Sequence, residues 1–396
     1  MNQTPSGERI HIGFFGRRNA GKSSVVNAVT GQELAVVSEV KGTTTDPVSK
    51  TMELLPLGPV MIIDTPGLDD EGQLGELRVR KTKQVLNKTD LAVVVIDAVQ
   101  GQTAWETDLI RLLEEKQIPY LLVYNKSDLL EKIPVAGAHE IYVSALKKEG
   151  IEELKTEIAK LQKKETERPL IKDHLKKGDL VVLVVPIDSA APKGRLILPQ
   201  QQTIREILDA GAIAAVTKED QLKETLDSLG KAPAMVITDS QVFGNVAKIV
   251  PEQMLLTSFS ILMARHKGLL ESAAPGAAAI ERLKDQDRVL IAEGCTHHRQ
   301  CGDIGTEKIP RWIREFTGKE LLFETCSGTE FPEDLSPYAM VVHCGGCMLN
   351  PREMNYRVKC AEDQNVPITN YGTLIAYVHG ILRRSLEVFP EILKTV

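Results

Sequence analysis

The cysteines are the residues whose type and spacing most directly suggest chemistry in this chain. All six lie after residue 290 of a chain of 396 residues. Three of them fall in two clusters, Cys295-Thr296-His297 and His343-Cys344-Gly345-Gly346-Cys347. A disulfide framework is usually spread through a small secreted domain, whereas cysteines confined to one part of a large chain favour metal binding or redox chemistry.

Three kinds of site fit these cysteines. A zinc site takes four nitrogen or sulfur ligands in a tetrahedron. An iron–sulfur cluster takes thiolates and tolerates a substituted fourth ligand. A CxxC pair can also form a redox disulfide. Three strongly placed thiolates favour the cluster, and the two glycines of the CxxC turn predict a tight loop that directs both sulfurs toward one centre.

A second group of residues predicts phosphate binding near the N-terminus. Gly16-Arg17-Arg18-Asn19-Ala20-Gly21-Lys22-Ser23 follows an apolar strand and precedes a helical stretch that begins at Ser24. Glycines let backbone amides close around phosphates, and the N-terminus of the helix adds positive potential. Lys22 is expected to reach the β- and γ-phosphates, and Ser23 is expected to bind Mg²⁺.

Four further motifs follow in the order typical of a guanine-nucleotide site. They are Gly42-Thr43-Thr44-Thr45-Asp46, Asp64-Thr65-Pro66-Gly67, Asn125-Lys126-Ser127-Asp128 and Val143-Ser144-Ala145-Leu146. Thr44 is expected to bind Mg²⁺ and to sense the γ-phosphate. Asp64 is expected to hold the metal through its water shell, and the Gly67 amide to face the γ-phosphate.

The last two motifs predict the base specificity. Asp128 offers two acceptor oxygens to the N1–H and the exocyclic amine of guanine, which adenine cannot match. Asn125 and Lys126 are expected to brace the base pocket, and the amide of Ala145, after Ser144, to meet the guanine O6. One such tetrapeptide is weak evidence, but five motifs in order predict a GTP site with Mg²⁺.

Residues 8 to about 165 resemble the small GTPases of the TrmE–Era group. Leu68 follows the second motif at the position where Ras-like enzymes carry a water-orienting glutamine, so slow intrinsic hydrolysis is expected. Asn19 matches relatives whose loop asparagine helps to hold a potassium ion. The resemblance implies that K⁺ replaces an arginine finger, whereas the alternative is an asparagine that only stabilises the loop.

The elements that position these residues alternate between strands and helices. Each motif follows a short apolar run, and the carboxyl ends of parallel strands share one edge of a sheet. The chain is predicted to be an α/β protein of three α/β domains: a P-loop GTPase domain (1–168), a middle dimerisation domain (172–264) and a cluster domain with a parallel sheet (265–396). Cys326 is expected just past a strand at 320–325, and one helix is expected over 374–386.

Composition excludes several classes of function. The net charge is −6 with aromatic content of 4%, which argues against a nucleic-acid surface. No apolar run reaches the roughly 18 residues that a membrane helix needs, and residues 1–9 lack a signal-peptide core. A cytoplasmic protein without nucleic-acid or membrane partners is expected.

The cysteine pattern joined to a GTPase head closely resembles the [FeFe]-hydrogenase maturation GTPases, the HydF family, across essentially the whole chain. The resemblance implies a [4Fe-4S] cluster held by Cys295, Cys344 and Cys347, with an exchangeable fourth position. It also implies a homodimer that carries a two-iron precursor to apo-hydrogenase and works with two radical-SAM maturases. An Era-like GTPase of ribosome or tRNA maturation with a structural zinc site is the alternative. A third possibility is an iron–sulfur carrier with a vestigial nucleotide head.

The fourth ligand is left open by the sequence. His297 and His343 fit the family pattern, and Asp303 lies in the loop after Cys295. Cys301 and Cys326 are further thiols at plausible places, although the family pattern does not require them. Cys360 lies in a predicted helix, where a packed core thiol is the favoured interpretation.

Overall fold

The computed structural model describes residues 4–31, 48–65, 84–162, 168–187, 196–294, 303–328 and 330–396. Several predicted site residues lie outside these ranges: Thr44, Gly67, Cys295 and His297, together with Leu68 and Cys301. The chain folds into two compact units, residues 1–165 and 166–396. In the described part of the chain, no helix has the length and apolar character needed to cross a membrane.

The first unit is built on a six-stranded sheet with the order β2-β3-β1-β4-β5-β6. Among the described strands of this sheet, the pairing of β2 with β3 alone is antiparallel. The strands are β1 (Ile10–Gly16), β2 (Val48–Leu54), β3 (Gly58–Asp64), β4 (Leu91–Asp97), β5 (Tyr120–Asn125) and β6 (Glu140–Val143). The helices are α1 (Lys22–Thr30), α2 (Ala104–Glu115) and α3 (Ile151–Leu161).

Burial of the central strands explains why the nucleotide motifs meet. Every residue of β4 is buried, as expected for a parallel strand covered on both faces. The carboxyl ends of β1, β3, β5 and β6 lead into the four motifs that the structure describes in whole or in part, which confirms their predicted position. Helix α1 begins at Lys22, two residues before the predicted start, because Gly21 adopts a left-handed conformation and ends the loop.

The second unit contains two four-stranded parallel sheets with the orders β10-β9-β7-β8 and β12-β11-β13-β14. The first sheet comprises β7 (Leu180–Val184), β8 (Ile213–Thr217), β9 (Met235–Thr238) and β10 (Leu255–Ser258), with helices α4 (Leu198–Asp209), α5 (Leu222–Ser228), α6 (Phe243–Ile249) and α7 (Phe259–His266). The remaining elements are α8 (Leu270–Ala277), β11 (Arg288–Glu293), α9 (Ile309–Thr317), β12 (Leu322–Ser327), β13 (Met340–His343), α10 (Pro351–Asp363), β14 (Ile368–Asn370), α11 (Tyr371–Val378), α12 (Leu382–Ser385) and α13 (Pro390–Leu393).

One apolar core runs through both sheets of the second unit. It contains Val182 and Ile237 from the first sheet and Leu290 and Val341 from the second. The predicted boundary near residue 265 therefore lies inside a single compact unit, and the division into middle and last domains stays a prediction.

Three sequence expectations differ from the structure. Cys326 lies inside β12, where it pairs with Ala292, rather than beyond the strand. The expected helix over 374–386 is two helices, because Gly380 has a φ of +68° and interrupts the helical backbone. Strand β10 was not expected, since a run of four residues carries too little periodicity to be separated from the helix that follows it.

The central strands of the last sheet place the cysteine turn at a topological switch point. The chain leaves β11 toward β12 on one side, and it leaves β13 toward β14 on the other. Open α/β sheets bind ligands in the crevice that forms between such strands at their carboxyl ends. Cys295 follows β11 in sequence, and Cys344 directly follows β13.

Candidate functional site

The phosphate loop needs its glycines because other groups approach its backbone closely. A Cβ atom at residue 16 would lie 2.6 Å from the carbonyl oxygen of Val95, and one at residue 21 would lie 2.2 Å from Nδ2 of Asn125. Gly21 also has a φ of +80°, and Asn19 adopts a φ of +63°. The loop therefore has no room for a side chain at residues 16 and 21, and a glycine-rich backbone of this kind can approach a phosphate closely.

Lys22, Ser23 and Asp64 meet where β1 and β3 end. The ammonium of Lys22 contacts Oδ1 of Asp64, and Oγ of Ser23 donates a hydrogen bond of 2.9 Å to Oδ2 of the same carboxylate. Lys22 and Ser23 open helix α1, and Asp64 is the last residue of strand β3. A hydroxyl and a carboxylate oxygen that converge in this way are suitable ligands for Mg²⁺, directly or through water.

The base side of the pocket is organised by Asn125. Its Nδ2 donates to the carbonyl of Ala20 at 3.0 Å, and its Oδ1 accepts from the amide of Ala145 at 3.0 Å. One side chain thus ties the phosphate loop to the last motif. Asp128 is held by Ser144, whose hydroxyl donates to Oδ1 at 2.6 Å. The structure therefore brings together the predicted base-binding residues.

Asp97 is a residue of this site that the sequence motifs did not reveal. It ends β4, and its Oδ2 lies 2.5 Å from Nζ of Lys126, whose φ of +67° is left-handed. Burial raises the pKa of Asp97, but the hydrogen bond and charge of Lys126 together with the amides of Val99 and Gln100 outweigh this and hold the pKa below its usual value. The signal available in the sequence was an acidic residue at the end of an apolar strand.

The cysteine turn presents a sulfur that accepts hydrogen bonds from backbone amides. Sγ of Cys344 accepts from the amide of Gly294 at 3.1 Å and from the amide of Gly346 at 3.4 Å. Gly346 has a φ of +63°, which a residue with a side chain adopts only with strain. Amide hydrogen bonds to cysteine sulfur stabilise a thiolate and tune iron–sulfur centres. Gly294 immediately precedes Cys295.

A buried polar network holds the residue before the turn. His343 is fully buried, and its Nε2 lies 3.1 Å from Nη1 of the fully buried Arg357. Arg357 also bonds Oε1 of Glu353 at 3.0 Å and contacts the carbonyl of Gly328. Because a guanidinium has only donors, Nε2 of His343 is an acceptor, so Nδ1–H donates to the carbonyl of Cys344 at 2.7 Å.

This network favours a positioning role for His343, whose ligation of a cluster stays a prediction. Both ring nitrogens are engaged, so neither has a lone pair to offer to a metal in this arrangement. Burial and then the charge of Arg357 lower the pKa of His343 to about 3, which keeps the ring neutral. The structure instead gives His343 a positioning role: it connects Arg357 to the backbone of Cys344. The sequence did not indicate that Arg357 contacts the residues of the turn.

Asp303 also has a structural explanation. Its Oδ2 accepts from the amide and from the hydroxyl of Thr306, both at 2.9 Å, and caps the helical turn over Ile304–Lys308. Aspartate is among the residues preferred at the N-cap of a helix. The structure favours the cap.

Buried acidic and phenolic groups adjoin Cys344. The hydroxyl of Tyr371 donates to Oε1 of the buried Glu293 at 3.3 Å. Burial, followed by the negative charges of Cys344 and Glu293, raises the pKa of Tyr371 well above its usual value. Glu293 ends β11 and was not predicted as a site residue, although its place at a strand end was a usable signal.

The other described thiols have different surroundings. Burial raises the pKa of Cys347 against the opposing charge of Lys267, and burial raises the pKa of Cys326 to about 11. Cys360 is half-buried on α10 and packs against the shared core, as expected for a core thiol. Among the described residues no three histidines, cysteines or carboxylates form a metal-binding group, and Cys295 lies outside that part of the chain.

Comparison with protein families assigns most of the chain. Residues 271–388 match the hydrogen maturase F tetramerization domain, and residues 170–268 match the hydrogen maturase F dimerization domain. Residues 11–126 match the family described as 50S ribosome-binding GTPase. The first unit is therefore a GTPase domain, as the motifs predicted.

Known GTPases resemble part of this chain. The tRNA modification GTPase MnmE of Aquifex aeolicus is 40% identical over 160 residues, covering 39% of this chain and 34% of that protein. MnmE of Natranaerobius thermophilus is 34% identical over 162 residues, covering 39% and 35%. The chain thus spans about a third of the length of these curated relatives. A crystal structure of Era from Aquifex aeolicus covers 56% of this chain and 98% of its own at 18% identity and a TM-score of 0.35.

The two hydrogen maturase F domains follow one another behind the GTPase domain and together span more than half of the chain. MnmE, by contrast, matches 39% of the chain. The order and extent of these matches establish that the chain belongs to the hydrogen maturase F (HydF) family.

Proposed function

We propose that this protein is a cytoplasmic, GTP-hydrolysing scaffold or carrier of [FeFe]-hydrogenase maturation. It holds a [4Fe-4S] cluster with one exchangeable position and delivers the two-iron precursor of the active site to apo-hydrogenase. Two radical-SAM maturases and the hydrogenase are the proposed partners. Membership of the family supports this proposal, since its domain descriptions name a hydrogen maturase.

The hydrogen-bonded sulfur of Cys344 is the observation that carries the cluster proposal. Two amides donate to this sulfur, and one belongs to Gly294, the residue before Cys295. The CxxC turn lies at the switch point of a parallel sheet, where such folds bind ligands. Cys295, Cys344 and Cys347 are the proposed thiolate ligands, and this donor set fits iron better than a hard cation.

The cluster would supply an iron atom whose open position can bind and release a bridging group of the precursor. The protein's own residues do the rest. His343 and Arg357 keep the backbone of Cys344 in place. Asp303 and His297 stay candidates for the fourth position in the proposal, although the cap at Thr306 engages Asp303.

The GTPase chemistry is assigned to the residues of the first unit. Ser23 and Asp64 are proposed to hold Mg²⁺ together with Thr44, and Lys22 and the Gly67 amide to stabilise the γ-phosphate. Because Leu68 stands where Ras-like enzymes carry the glutamine that orients the attacking water, slow hydrolysis is expected. K⁺ near Asn19 is proposed to speed the reaction. Faster hydrolysis in K⁺ than in Na⁺ salts is expected for the native protein, and equal rates would remove K⁺ from the proposal.

Self-association is proposed to use the edge strand β8. Among the described strands β8 pairs only with β7, and Ile213 and Val216 expose 56% and 51% of their surface. An exposed apolar edge strand is a template for pairing with another chain. The strand lies within the residues that match a dimerization domain. A homodimer joined at this edge is therefore the proposed state.

Cluster assembly can be tested by electron paramagnetic resonance. The native protein and Cys344→Ala would be reconstituted with iron and sulfide without oxygen and reduced with dithionite. A [4Fe-4S]⁺ signal in the native protein that is lost in Cys344→Ala is expected. Cys360→Ala is the matched control, since this half-buried thiol lies on a helix away from the turn, and it should keep the signal. Stoichiometric zinc without a cluster would overturn the proposal in favour of a GTPase with a structural metal.

A further inference from the structure

The two sheets of the second unit begin with the same turn. Before β7, the carboxylate of Asp179 accepts from the amide of Lys176 at 2.8 Å, and before β11 the carboxylate of Asp287 accepts from the amide of Lys284 at 2.8 Å. The residue before each aspartate, Gly178 or Gln286, has a positive φ. The two sheets also share one strand order.

The hydrogen bonds around the first and third strands correspond as well. Ala234 donates its amide to the carbonyl of Leu180 at 2.8 Å, and Ala339 donates to that of Arg288 at 2.9 Å. These alanines open the similar segments Ala-Met-Val-Ile and Ala-Met-Val-Val. At the far end of the same strands, the amide of Asp239 bonds the carbonyl of Val184 and the amide of Cys344 bonds that of Ala292. Cys344 therefore occupies the position of Asp239.

The helices that follow the fourth strand of each sheet, α7 and α11, also begin and end in the same way. Ser258 caps α7 by accepting from the amide of Ile261, and Asn370 caps α11 by accepting from the amide of Thr373. Each helix ends at a glycine with positive φ, Gly268 at +77° and Gly380 at +68°. These correspondences span residues 175–268, the first copy, and residues 283–380, the second copy.

Equivalent residues of the two copies meet each other. Ser260 and Gly372 both lie two residues after their capping residue. A Cβ atom at Gly372 would lie 2.4 Å from Cβ of Ser260, and Asn370 donates to the carbonyl of Ser260 at 3.1 Å. When equivalent positions touch, the two copies are related by an approximate two-fold axis that passes between them.

We propose that the second unit is an internal repeat with approximate two-fold symmetry, and that the first copy contributes the ammonium of Lys267 to the cysteine site of the second copy. The cysteine site then lies where the two copies face each other, with the CxxC turn from one copy and a buried cation from the other. This inference rests on the proposed cluster.

The symmetry places Lys267 beside the cysteine turn. His379 is its equivalent, since each precedes the helix-ending glycine. His379 lies against Gly244 of the first copy, with Nδ1 3.6 Å from where a Cβ of that residue would be. Gly244 follows Ala234 by the same number of residues as Leu349 follows Ala339, so Leu349 is the equivalent of Gly244. Leu349 lies two residues after Cys347. Since His379 of the second copy contacts Gly244 of the first, the symmetry places Lys267 of the first copy against Leu349, at the end of the turn.

Two further observations agree with this placement. A Cβ atom at Gly268 would lie 2.9 Å from Oδ1 of Asn355 on α10, the helix that follows the turn. Lys267 is only 1% exposed, so its charge acts in a poorly screened environment.

The consequence is electrostatic. Three thiolates around a [4Fe-4S]²⁺ core give a net charge of about −1, and one electron from dithionite makes the charge about −2. A nearby ammonium stabilises the more negative state and raises the reduction potential. Removal of the ammonium should therefore make the cluster harder to reduce.

The experiment is a redox titration of the reconstituted protein, followed by the [4Fe-4S]⁺ signal. In Lys267→Met the ratio of reduced to oxidised cluster at a fixed potential is expected to fall about tenfold, which is a shift of ~59 mV to lower potential for one electron. Lys267→Arg keeps the charge and should stay close to the native value. Lys267→Gln is a second neutral variant in case the methionine variant does not fold.

A matched control is Lys308→Met. Lys308 also joins the two copies, through a hydrogen bond of 2.8 Å from Nζ to Oε1 of Gln241, and its loss should leave the potential near the native value. A native cluster with the same potential in both neutral Lys267 variants would overturn this inference and leave the proposed function standing. A native protein that assembles no cluster would overturn the proposed function itself.

Discussion

At the scale of single residues, buried hydrogen bonds determine which side chains of the cysteine turn can bind a metal. His343 stands directly before Cys344, a position that invites a role as ligand. Its neighbours Arg357 and Cys344 use both ring nitrogens instead. A fully buried arginine is costly to leave without hydrogen-bond acceptors. Glu353 and the carbonyl of Gly328 accept from Arg357, and the imidazole of His343 is a further acceptor.

Substitution of His343 separates positioning from ligation. In His343→Gln the amide oxygen can accept from Arg357 and the amide nitrogen can donate to the carbonyl of Cys344, so cluster assembly should persist. His343→Leu leaves a donor of Arg357 unpaired, which should cost about 1–3 kcal/mol of stability and lower the iron content. Thermal melting and iron analysis measure both effects. A strong ¹⁵N-histidine coupling to the native cluster that vanishes in His343→Gln would show ligation instead.

Base specificity should reside in Asp128. In Asp128→Asn one acceptor becomes a donor, so guanine loses a hydrogen-bond partner and xanthine gains one. A hydrogen bond to a charged group contributes about 1.5–3 kcal/mol, so the affinity for GTP should fall at least about tenfold while that for XTP rises. Competition binding measures the preference. Ser144→Ala removes the hydrogen bond of 2.6 Å to Asp128 and the acceptor of the Lys147 amide, and it should keep the guanine preference. Unchanged preference in Asp128→Asn would contradict the assignment.

At the scale of elements, one glycine permits the close packing of α8 on β14. A Cβ atom at Gly276 would lie 2.0 Å from the carbonyl oxygen of Ile368. Alanine is the better helix former, by about 1 kcal/mol. The backbone contact nevertheless requires glycine here, because a strand carbonyl in a sheet cannot move aside without disturbing the pairing of its neighbours.

Gly276→Ala should therefore destabilise the protein despite the gain in helix propensity. Overpacking of a dense core costs about 1–3 kcal/mol and sometimes more, so a clear fall in the midpoint of thermal unfolding is expected. Gly230→Ala is the matched control, because a Cβ there would meet no atom within 4 Å. A melting temperature unchanged or raised in Gly276→Ala would mean that the helix does not pack on β14 as closely as described.

At the scale of the whole molecule, the exposed edge strand β8 is the proposed surface for self-association. Val216→Lys places a charge on the apolar outer surface of this strand and should weaken dimerisation by about tenfold or more, as sedimentation equilibrium would measure. Leu129→Lys is the matched control, since Leu129 is 64% exposed in the GTPase unit. A dimer unaffected by Val216→Lys would place the self-association surface elsewhere.

Much of this molecule follows from local sequence. The phosphate loop, Asp64, Asn125 and Asp128 fall at strand ends as expected, because an apolar run predicts a buried strand and a parallel sheet collects such ends at one edge. The pairing of a CxxC turn with a GTPase head predicted the family that the domain matches establish. Short-range patterns carry this information since each motif and its strand are contiguous in the chain.

The other contacts of the two sites depend on packing between segments that are distant in the chain. Arg357 reaches His343 from a helix after the turn, and Asp97 reaches Lys126 from a neighbouring strand. Lys267 is buried although nothing in its local sequence separates it from a surface lysine. The two copies share few identical residues, so their likeness lies in strand order and hydrogen bonds rather than in sequence. Contacts between distant segments depend on how elements pack, and one element's periodicity does not encode that arrangement.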